Sequence, residues 1–226
     1  MSSTLESDAV AATLERLLAA EDKQDLAAAW AAAGVDLGGD FPAGMSAAEM
    51  AERTKDIIMS VSREGGRLLY LLTRAVRART VVEFGTSFGI STLYLAAAVR
   101  DNGGGRVITT ELQQDKARQA VENFAAAGLA DLIELRLGDA RQTLRDVPGP
   151  VDVLLLDGWL DLRLPILRTV EGALRPGSLV VVDDVDLDIG RGVYEEFRAY
   201  IDDPANGYLS LTLPVHQGVQ LALKVG

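Results

Sequence analysis

The chain has no cysteine and only one histidine among its 226 residues. Without thiols it can form neither a disulfide nor a thiolate metal site, and a single imidazole cannot build a histidine-rich zinc site. Basic residues are also scarce, since 22 lysines and arginines face 33 aspartates and glutamates, for a net charge of -11. This negative balance disfavours nucleic acids and anionic membranes as partners.

Long apolar runs are missing as well. No stretch approaches the roughly 18 uninterrupted apolar residues of a membrane span. The N-terminal segment does not show the basic region and apolar core of a signal peptide. We therefore expect a cytoplasmic protein without a membrane partner. A hydrophobic content of 48% with 24% charged residues is enough to bury the core of one α/β domain.

From residue 80 onward the sequence alternates between strand-like and helical segments. Apolar, β-branched runs at 80–84, 106–110, 132–136, 151–156 and 178–182 are each followed by a helical segment. This rhythm predicts an α/β fold with a doubly wound, Rossmann-like parallel sheet. Two further runs, 208–215 and 219–225, flank a three-residue connection that contains Gly218. They predict a hairpin whose last strand is antiparallel, which brings the sheet to seven strands.

Residues 1–56 lack that rhythm and are predicted to form an N-terminal helical extension to a domain spanning 57–226. Apolar residues between Val10 and Leu18 have helical spacing. Ser46 and Glu49 fit a capping box at the start of a further helix, with Met50, Ile57 and Ile58 on its apolar face.

Acidic residues stand at or just past five predicted strand ends. Ligands of such sheets bind at the carboxyl ends of the strands. A helix cap explains any single acid equally well, but five together indicate a binding site. The acids are Glu83, Glu111, Asp139, Asp157 and the pair Asp183–Asp184.

The turn after the first strand, in "VVEFGTSFGIST" (81–92), indicates the kind of ligand. A dinucleotide fingerprint needs a second glycine where this chain has Ser87, followed by Phe88, which argues against NAD. S-adenosylmethionine carries no phosphate and tolerates side chains at this turn. Glu111 can accept hydrogen bonds from both ribose hydroxyls, and Asp139 from the adenine amino group.

Several motifs in a fixed order resemble the S-adenosylmethionine-dependent O-methyltransferases of the catechol and caffeoyl-CoA type. They are "VVEFGTSFGISTLYLA", "RVITTEL", "LRLGDA", "VDVLLLDGWLDLRLP", "LRPGSLVVVDDV" and "LPVHQGVQLALKV", within residues 57–226. The resemblance implies an enzyme that methylates a hydroxyl of a small, aromatic, catechol-like acceptor. It also implies a homodimer, and N-terminal helices that cover the acceptor pocket or build the dimer interface.

The same resemblance supplies the predicted cofactor contacts. The segment 59–72 is expected to lie over the methyl donor, and a tryptophan at position 159 to pack against the adenine. The predicted S-adenosylmethionine-binding residues are Met59, Val61, Glu83, Gly85, Ser87, Phe88, Gly89, Ser91, Glu111, Leu112, Gly138, Asp139, Ala140, Asp157 and Trp159.

Asp157, Asp183 and Asp184 end neighbouring strands and form the predicted metal site. Three converging carboxylates repel one another, and a hard divalent cation, Mg²⁺ or Ca²⁺, resolves the repulsion. The family binds its metal with two aspartates and an asparagine, so Asp184 stands where asparagine is usual. The metal would hold two vicinal oxygens of the acceptor and acidify the one to be methylated. The alternative to a metal site is that one aspartate caps a helix and the other two are solvated. The protein would then be a metal-independent methyltransferase.

Catalytic groups are predicted at Asp157, through the metal, and at His216. The family places a lysine general base three residues after the first metal aspartate, where this chain has Leu160. His216, in the terminal hairpin, is the candidate replacement. Arg163 occupies a place where an aromatic residue is common, and it either meets an acidic acceptor or faces water. A non-catalytic S-adenosylmethionine-binding protein and a NAD-dependent oxidoreductase remain alternatives.

Overall fold

A computed structural model describes residues 3–35, 44–186 and 191–226. Seven strands form one sheet in the order β3-β2-β1-β4-β5-β7-β6. The strands are β1 Thr80–Phe84, β2 Arg106–Glu111, β3 Ile133–Leu137, β4 Val151–Leu156, β5 Leu174–Val182, β6 Tyr208–Leu213 and β7 Val219–Lys224.

Strands β1 to β5 are parallel, and β7 runs antiparallel to both of its neighbours, β5 and β6. Every residue of β4 and all but the first of β1 are buried, because helices cover both faces of the sheet. The predicted doubly wound α/β fold with an antiparallel last strand is confirmed. Strand β5 starts four residues earlier than predicted, since Leu174 pairs with Val151 across an irregularity in the ladder.

Helices flank the sheet on both sides. In chain order they are α1 Asp8–Glu21, α2 Leu26–Ala32, α3 Ala47–Arg53, α4 Arg63–Ala75, α5 Ile90–Asp101, α6 Gln114–Ala126, α7 Ala140–Thr143, α8 Arg163–Val170 and α9 Arg191–Asp202. Helix α5 is buried from Ile90 to Val99, because it lies between the sheet and helices α1 and α4. None of the helices within the described ranges is both long and apolar enough to cross a bilayer.

The N-terminal helices pack onto this domain. Val10 and Leu14 of α1 share one hydrophobic cluster with Val81 of β1. The capping box at α3 is present: the Glu49 N–H donates to Ser46 Oγ at 3.2 Å, and the Ser46 N–H donates to Glu49 Oε2 at 2.9 Å. The helix nevertheless ends at Arg53, so Ile57 and Ile58 follow it instead of lying on its face.

Candidate active site

A cavity of about 400 Å³ opens at the carboxyl ends of β1, β2 and β4. Its floor consists of the residues that follow these strands, and helices α2 and α3 contribute to its walls. This is the edge of the sheet at which the strand-end acids are expected to meet, because parallel strands present their carboxyl ends on one side.

The turn after β1 brings the backbone close to the end of β4. Gly85 has a φ of 102°, and a Cβ atom there would lie 2.7 Å from the Asp157 carbonyl oxygen. Only glycine fits such an approach in this conformation. Ser87 also has a positive φ, of 49°, and its buried hydroxyl has no hydrogen-bond partner among the described residues. The turn therefore holds an open polar group at the cavity wall.

Glu111, the last residue of β2, ties this turn to the segment that follows β2. Its carboxylate accepts hydrogen bonds from the backbone N–H groups of Ser87, at 2.8 Å, and of Leu112 and Gln113, both at 2.9 Å. A carboxylate offers about four lone-pair sites, so about one remains for a ligand. The side chain lines the cavity, but the prediction that it accepts from two ribose hydroxyls exceeds that remaining capacity.

Glu83 does not line the cavity, contrary to what its prediction as a cofactor contact requires. It is fully buried and accepts hydrogen bonds from Ser91 at 2.6 Å, from Thr109 at 2.5 Å and from Thr92. Desolvation raises the pKa of Glu83 to about 7, although these three hydroxyls oppose the shift. Glu83 thus anchors the start of α5 to β1 and β2.

Replacing Glu83 by glutamine is expected to remove a pH dependence of stability. Because the pKa of Glu83 is higher in the folded protein than its usual 4.5, its contribution is complete below pH 4.5 and is lost as the pH rises towards 7. Relative to Glu83→Gln, the wild type should lose about 2 kcal/mol of unfolding free energy between pH 5.5 and pH 8. Urea unfolding of both proteins at these two pH values measures it, and parallel pH profiles would contradict it.

Asp139 and Trp159 lie on the cavity wall where the adenine contacts are predicted. Both carboxylate oxygens of Asp139 accept hydrogen bonds from the Arg141 side chain: Nε donates to Oδ1 at 3.1 Å and Nη2 donates to Oδ2 at 2.8 Å. This ion pair lowers the pKa of Asp139. An adenine amino group would have to share the carboxylate with Arg141. Trp159 packs against Val35 and Met50, so it joins the domain to the N-terminal region.

Asp157, Asp183 and Asp184 converge as predicted. One carboxylate oxygen of each lies within 4.8 Å of the others. Burial and the neighbouring carboxylates raise the pKa of Asp157 well above its usual value and that of Asp183 to about 6. Desolvation likewise raises the pKa of Asp184. Three ionised carboxylates this close repel one another, so a bound cation would stabilise them. Their oxygen atoms are the ligands that Mg²⁺ and Ca²⁺ prefer.

Leu160, at the position of the family's general base, and His216, the predicted replacement, lie in different places. Leu160 lines the cavity, so an aliphatic side chain stands at the position where the resemblance implies a lysine. His216 is exposed in the turn between β6 and β7 and is not among the cavity-lining residues. Its turn packs beside the triad, since the N–H of Asp186 donates to the Gln217 carbonyl at 2.7 Å.

Most of the predicted site residues surround the one cavity. Those lining it are Met59, Gly85, Ser87, Phe88, Ser91, Glu111, Leu112, Gly138, Asp139, Ala140, Asp157, Trp159 and Asp184. Five do not line it: Val61 lies in the core, Glu83 and Asp183 are buried beneath the rim, Gly89 packs against Phe124 at the start of α5, and His216 is exposed.

The resemblance implied that the N-terminal helices cover the acceptor pocket or build the dimer interface, but it named none of the residues concerned. Residues of this region that line the cavity are Trp30, Ser46, Ala47, Ala48, Ala51 and Thr54. Lys116 of α6 was not predicted either; it lines the cavity, is buried and donates to the Ile57 carbonyl at 2.9 Å. The Ser46 capping box located α3 but carries no information about what the helix covers.

The end of α1 holds the segment 58–60 at the cavity. The side chain of Gln24 donates to the Ile58 carbonyl at 3.0 Å and accepts from the Ile58 N–H at 2.9 Å. Glu21 accepts from the N–H of Ser60 at 3.0 Å and from its hydroxyl at 2.5 Å. The segment predicted to lie over the methyl donor is thus fixed by residues of the N-terminal extension.

Comparison with known proteins agrees with this geometry. A family model described as "Methyltransferase domain" matches residues 82–185. The catechol O-methyltransferase of Mycobacterium tuberculosis (strain ATCC 25618 / H37Rv) is 35% identical over 148 residues. The alignment spans 65% of this chain and 66% of that relative, slightly less than two thirds of its length.

Solved structures extend the similarity. The O-methyltransferase TomG from Streptomyces achromogenes, in complex with SAM, is 29% identical with a TM-score of 0.66, over 80% of this chain and 91% of that one. An O-methyltransferase from Bacillus cereus, in complex with SAH, is 25% identical with a TM-score of 0.69, over 94% and 90%. These comparisons confirm the predicted resemblance: the chain is similar to S-adenosylmethionine-dependent O-methyltransferases of the catechol and caffeoyl-CoA type.

Proposed function

We propose that this protein transfers a methyl group from S-adenosylmethionine to a hydroxyl of a small, aromatic, catechol-like acceptor, with the help of a divalent metal ion. One observation carries the proposal: a single cavity joins the Gly85–Glu111 region, which suits a nucleoside, to the carboxylate triad. The relatives act as catechol O-methyltransferases or are solved with SAM or SAH.

The cofactor fits the groups around the turn after β1. The unpartnered hydroxyl of Ser87 and the remaining lone pair of Glu111 provide polar contacts, while Phe88, Met59 and Trp159 provide apolar ones. Sulfonium and ammonium groups carry positive charge, and this edge of the sheet carries several carboxylates. The site is therefore electrostatically matched to S-adenosylmethionine, which makes donor placement the task of these residues.

Asp157, Asp183 and Asp184 would hold the metal, and we propose Mg²⁺ with Ca²⁺ as the alternative. A bound divalent ion supplies Lewis acidity that lowers the pKa of a coordinated hydroxyl. The chain's own part is to align the acceptor oxygen with the methyl group and to exclude water, for which the apolar wall of Leu160, Leu162 and Trp159 is suited. His216 stays a prediction as proton acceptor, because its turn lies beside the triad but its side chain is exposed.

Methyl transfer with and without chelation tests the proposal. Purified protein, S-adenosylmethionine and a panel of catechols and hydroxycinnamates should give a methylated product when Mg²⁺ is present. Thorough dialysis against EDTA should lower the rate, and added Mg²⁺ should restore it. A rate that survives chelation would make the enzyme metal-independent. Binding of S-adenosylhomocysteine without turnover on any acceptor would favour a regulatory protein instead.

We also propose a cytoplasmic homodimer, on the basis of the resemblance and of the composition. Leu209 and Leu211 on the edge strand β6 are 68% and 53% exposed, and such apolar side chains on a sheet edge favour association. Sedimentation equilibrium measures the assembly state, and a monomer at micromolar concentration would contradict the proposed dimer.

A further inference from the structure

Arg163 is a buried cation at the cavity wall. It is the first residue of α8 and only 3% exposed, yet it lines the cavity next to Leu160 and Leu162. The sequence left open whether this side chain faces water or an acidic acceptor. Its burial excludes the first alternative.

The guanidinium group has no partner in the part of the chain that the structure describes. Its Nε and Nη1 atoms are buried without a hydrogen bond, and no carboxylate among residues 3–35, 44–186 and 191–226 forms an ion pair with it at 4.0 Å or less. A buried charged donor without a partner is unfavourable. Among the described residues the donors of Arg163 therefore remain free for an anionic or strongly accepting group of a ligand.

The acid triad attracts Arg163 without pairing with it. Asp157, Asp183 and Asp184 all act on the guanidinium electrostatically, and with all three carboxylates ionised, as a bound cation would favour, the four side chains together carry two net negative charges. The divalent ion proposed for this site balances that charge, and a ligand carboxylate then meets no uncompensated negative charge. The hydrogen-bonding capacity of Arg163 stays available to such a ligand.

We propose that Arg163 binds a carboxylate of the acceptor, so that the preferred acceptor is an aromatic acid with two adjacent hydroxyls instead of an uncharged catechol. A guanidinium group presents its N–H donors in a planar fork that matches a carboxylate. The apolar side chains of Leu160 and Leu162 beside it suit the aromatic ring. This inference rests on the proposed function, because it names the acceptor class of the same cavity.

Calorimetry on the protein loaded with S-adenosylhomocysteine and Mg²⁺ tests the inference without turnover. The probes are 3,4-dihydroxybenzoate and catechol, which differ only by the carboxylate. The wild type should bind the acid at least about tenfold more tightly than catechol. Arg163→Met should lose that preference while its affinity for catechol changes less than about twofold, and Arg163→Lys should retain part of it.

Arg168→Met is the matched control, because Arg168 lies exposed on the same helix, where it stacks on Tyr200. It should keep the wild-type preference, and circular dichroism should show all three variants folded. Equal affinity of the wild type for both probes, or equal losses for both in Arg163→Met, would overturn the inference. If the preference is present but neither probe is methylated, the proposed function fails and the carboxylate contact stands.

Discussion

Replacing Asp157 by alanine is expected to lower the rate of methyl transfer on the order of 1,000-fold, as loss of several kcal/mol of metal-derived stabilisation implies. Asp157 is the triad member that directly follows β4, and its backbone lies next to Gly85. Because Asp157 belongs to the triad and also lines the cavity, it would touch both the proposed metal and the proposed donor site. Steady-state rates with saturating Mg²⁺ and calorimetry of Mg²⁺ binding measure the two losses separately.

The stability of the same variant provides an independent check. A carboxyl group whose pKa is raised on folding destabilises the folded state at pH values above its unfolded pKa. In EDTA at pH 7.5, Asp157→Ala should therefore unfold at a temperature no lower than the wild type. Mg²⁺ should raise the unfolding temperature of the wild type but not of the variant. The exposed Asp161, on the same segment, is the control, and Asp161→Ala should behave as wild type. Retained turnover with a retained Mg²⁺ effect would refute the ligation.

Replacing Glu111 by glutamine should weaken the binding of S-adenosylhomocysteine by roughly 10- to 100-fold. Glutamine keeps the shape but turns one acceptor into a donor, which would then face a backbone N–H of Ser87, Leu112 or Gln113. The turn after β1 would move, and the contact to the ribose would be lost. We also expect the unfolding free energy to fall by about 1–3 kcal/mol, as for any buried donor left unpaired.

Calorimetry with S-adenosylhomocysteine alone tests this expectation, since it requires neither metal nor acceptor. Glu122→Gln, on the exposed face of α6 where Glu122 forms an ion pair with Arg118, should leave the affinity unchanged. An unaltered affinity of Glu111→Gln would show that the cofactor does not touch β2. A protein that no longer folds would show that Glu111 serves the turn more than the ligand.

The fold was predictable because its central strands β1, β2 and β4 are buried on both faces. β-Branched runs without polar alternation allow little besides a covered parallel sheet, and the short Gly218 connection required the final hairpin. Element ends were less predictable. The sequence predicts a helical segment after each strand-like run, but α7 spans only Ala140–Thr143, and α8 ends at Val170, where a short 3₁₀ turn follows.

The convergence of the strand-end acids was predictable for the same reason as the sheet. Register places Phe84 beside Leu156, and Leu156 beside Val182, so the residues that follow share one edge. What the sequence does not encode is the direction of each side chain. Glu83 precedes the last residue of its strand and points into the layer under α5, whereas Glu111 ends its strand and reaches the rim.

Which of its two implied roles the N-terminal region takes, covering the pocket or building an interface, could not be decided from the sequence, because no local pattern says which distant surface a helix covers. Trp30 and Ala51 line the cavity because the tertiary fold brings them there. The motif shows that Arg163 replaces a common aromatic residue, but its burial depends on α8 packing against the cavity wall. Both features arise from tertiary structure.

The cavity has two structurally separate halves. Its floor is set by the register of parallel strands, where a change at Gly85 or Glu111 disturbs the whole edge. Its ceiling is made of short side chains such as Ala47, Ala48 and Ala51 on α3, which are held by packing and by the capping box instead of by the sheet. Exchanging these alanines for larger residues would reshape the space above the proposed donor site and leave the turn after β1 in place. Under the proposed function, acceptor choice could therefore diverge while methyl donation is retained.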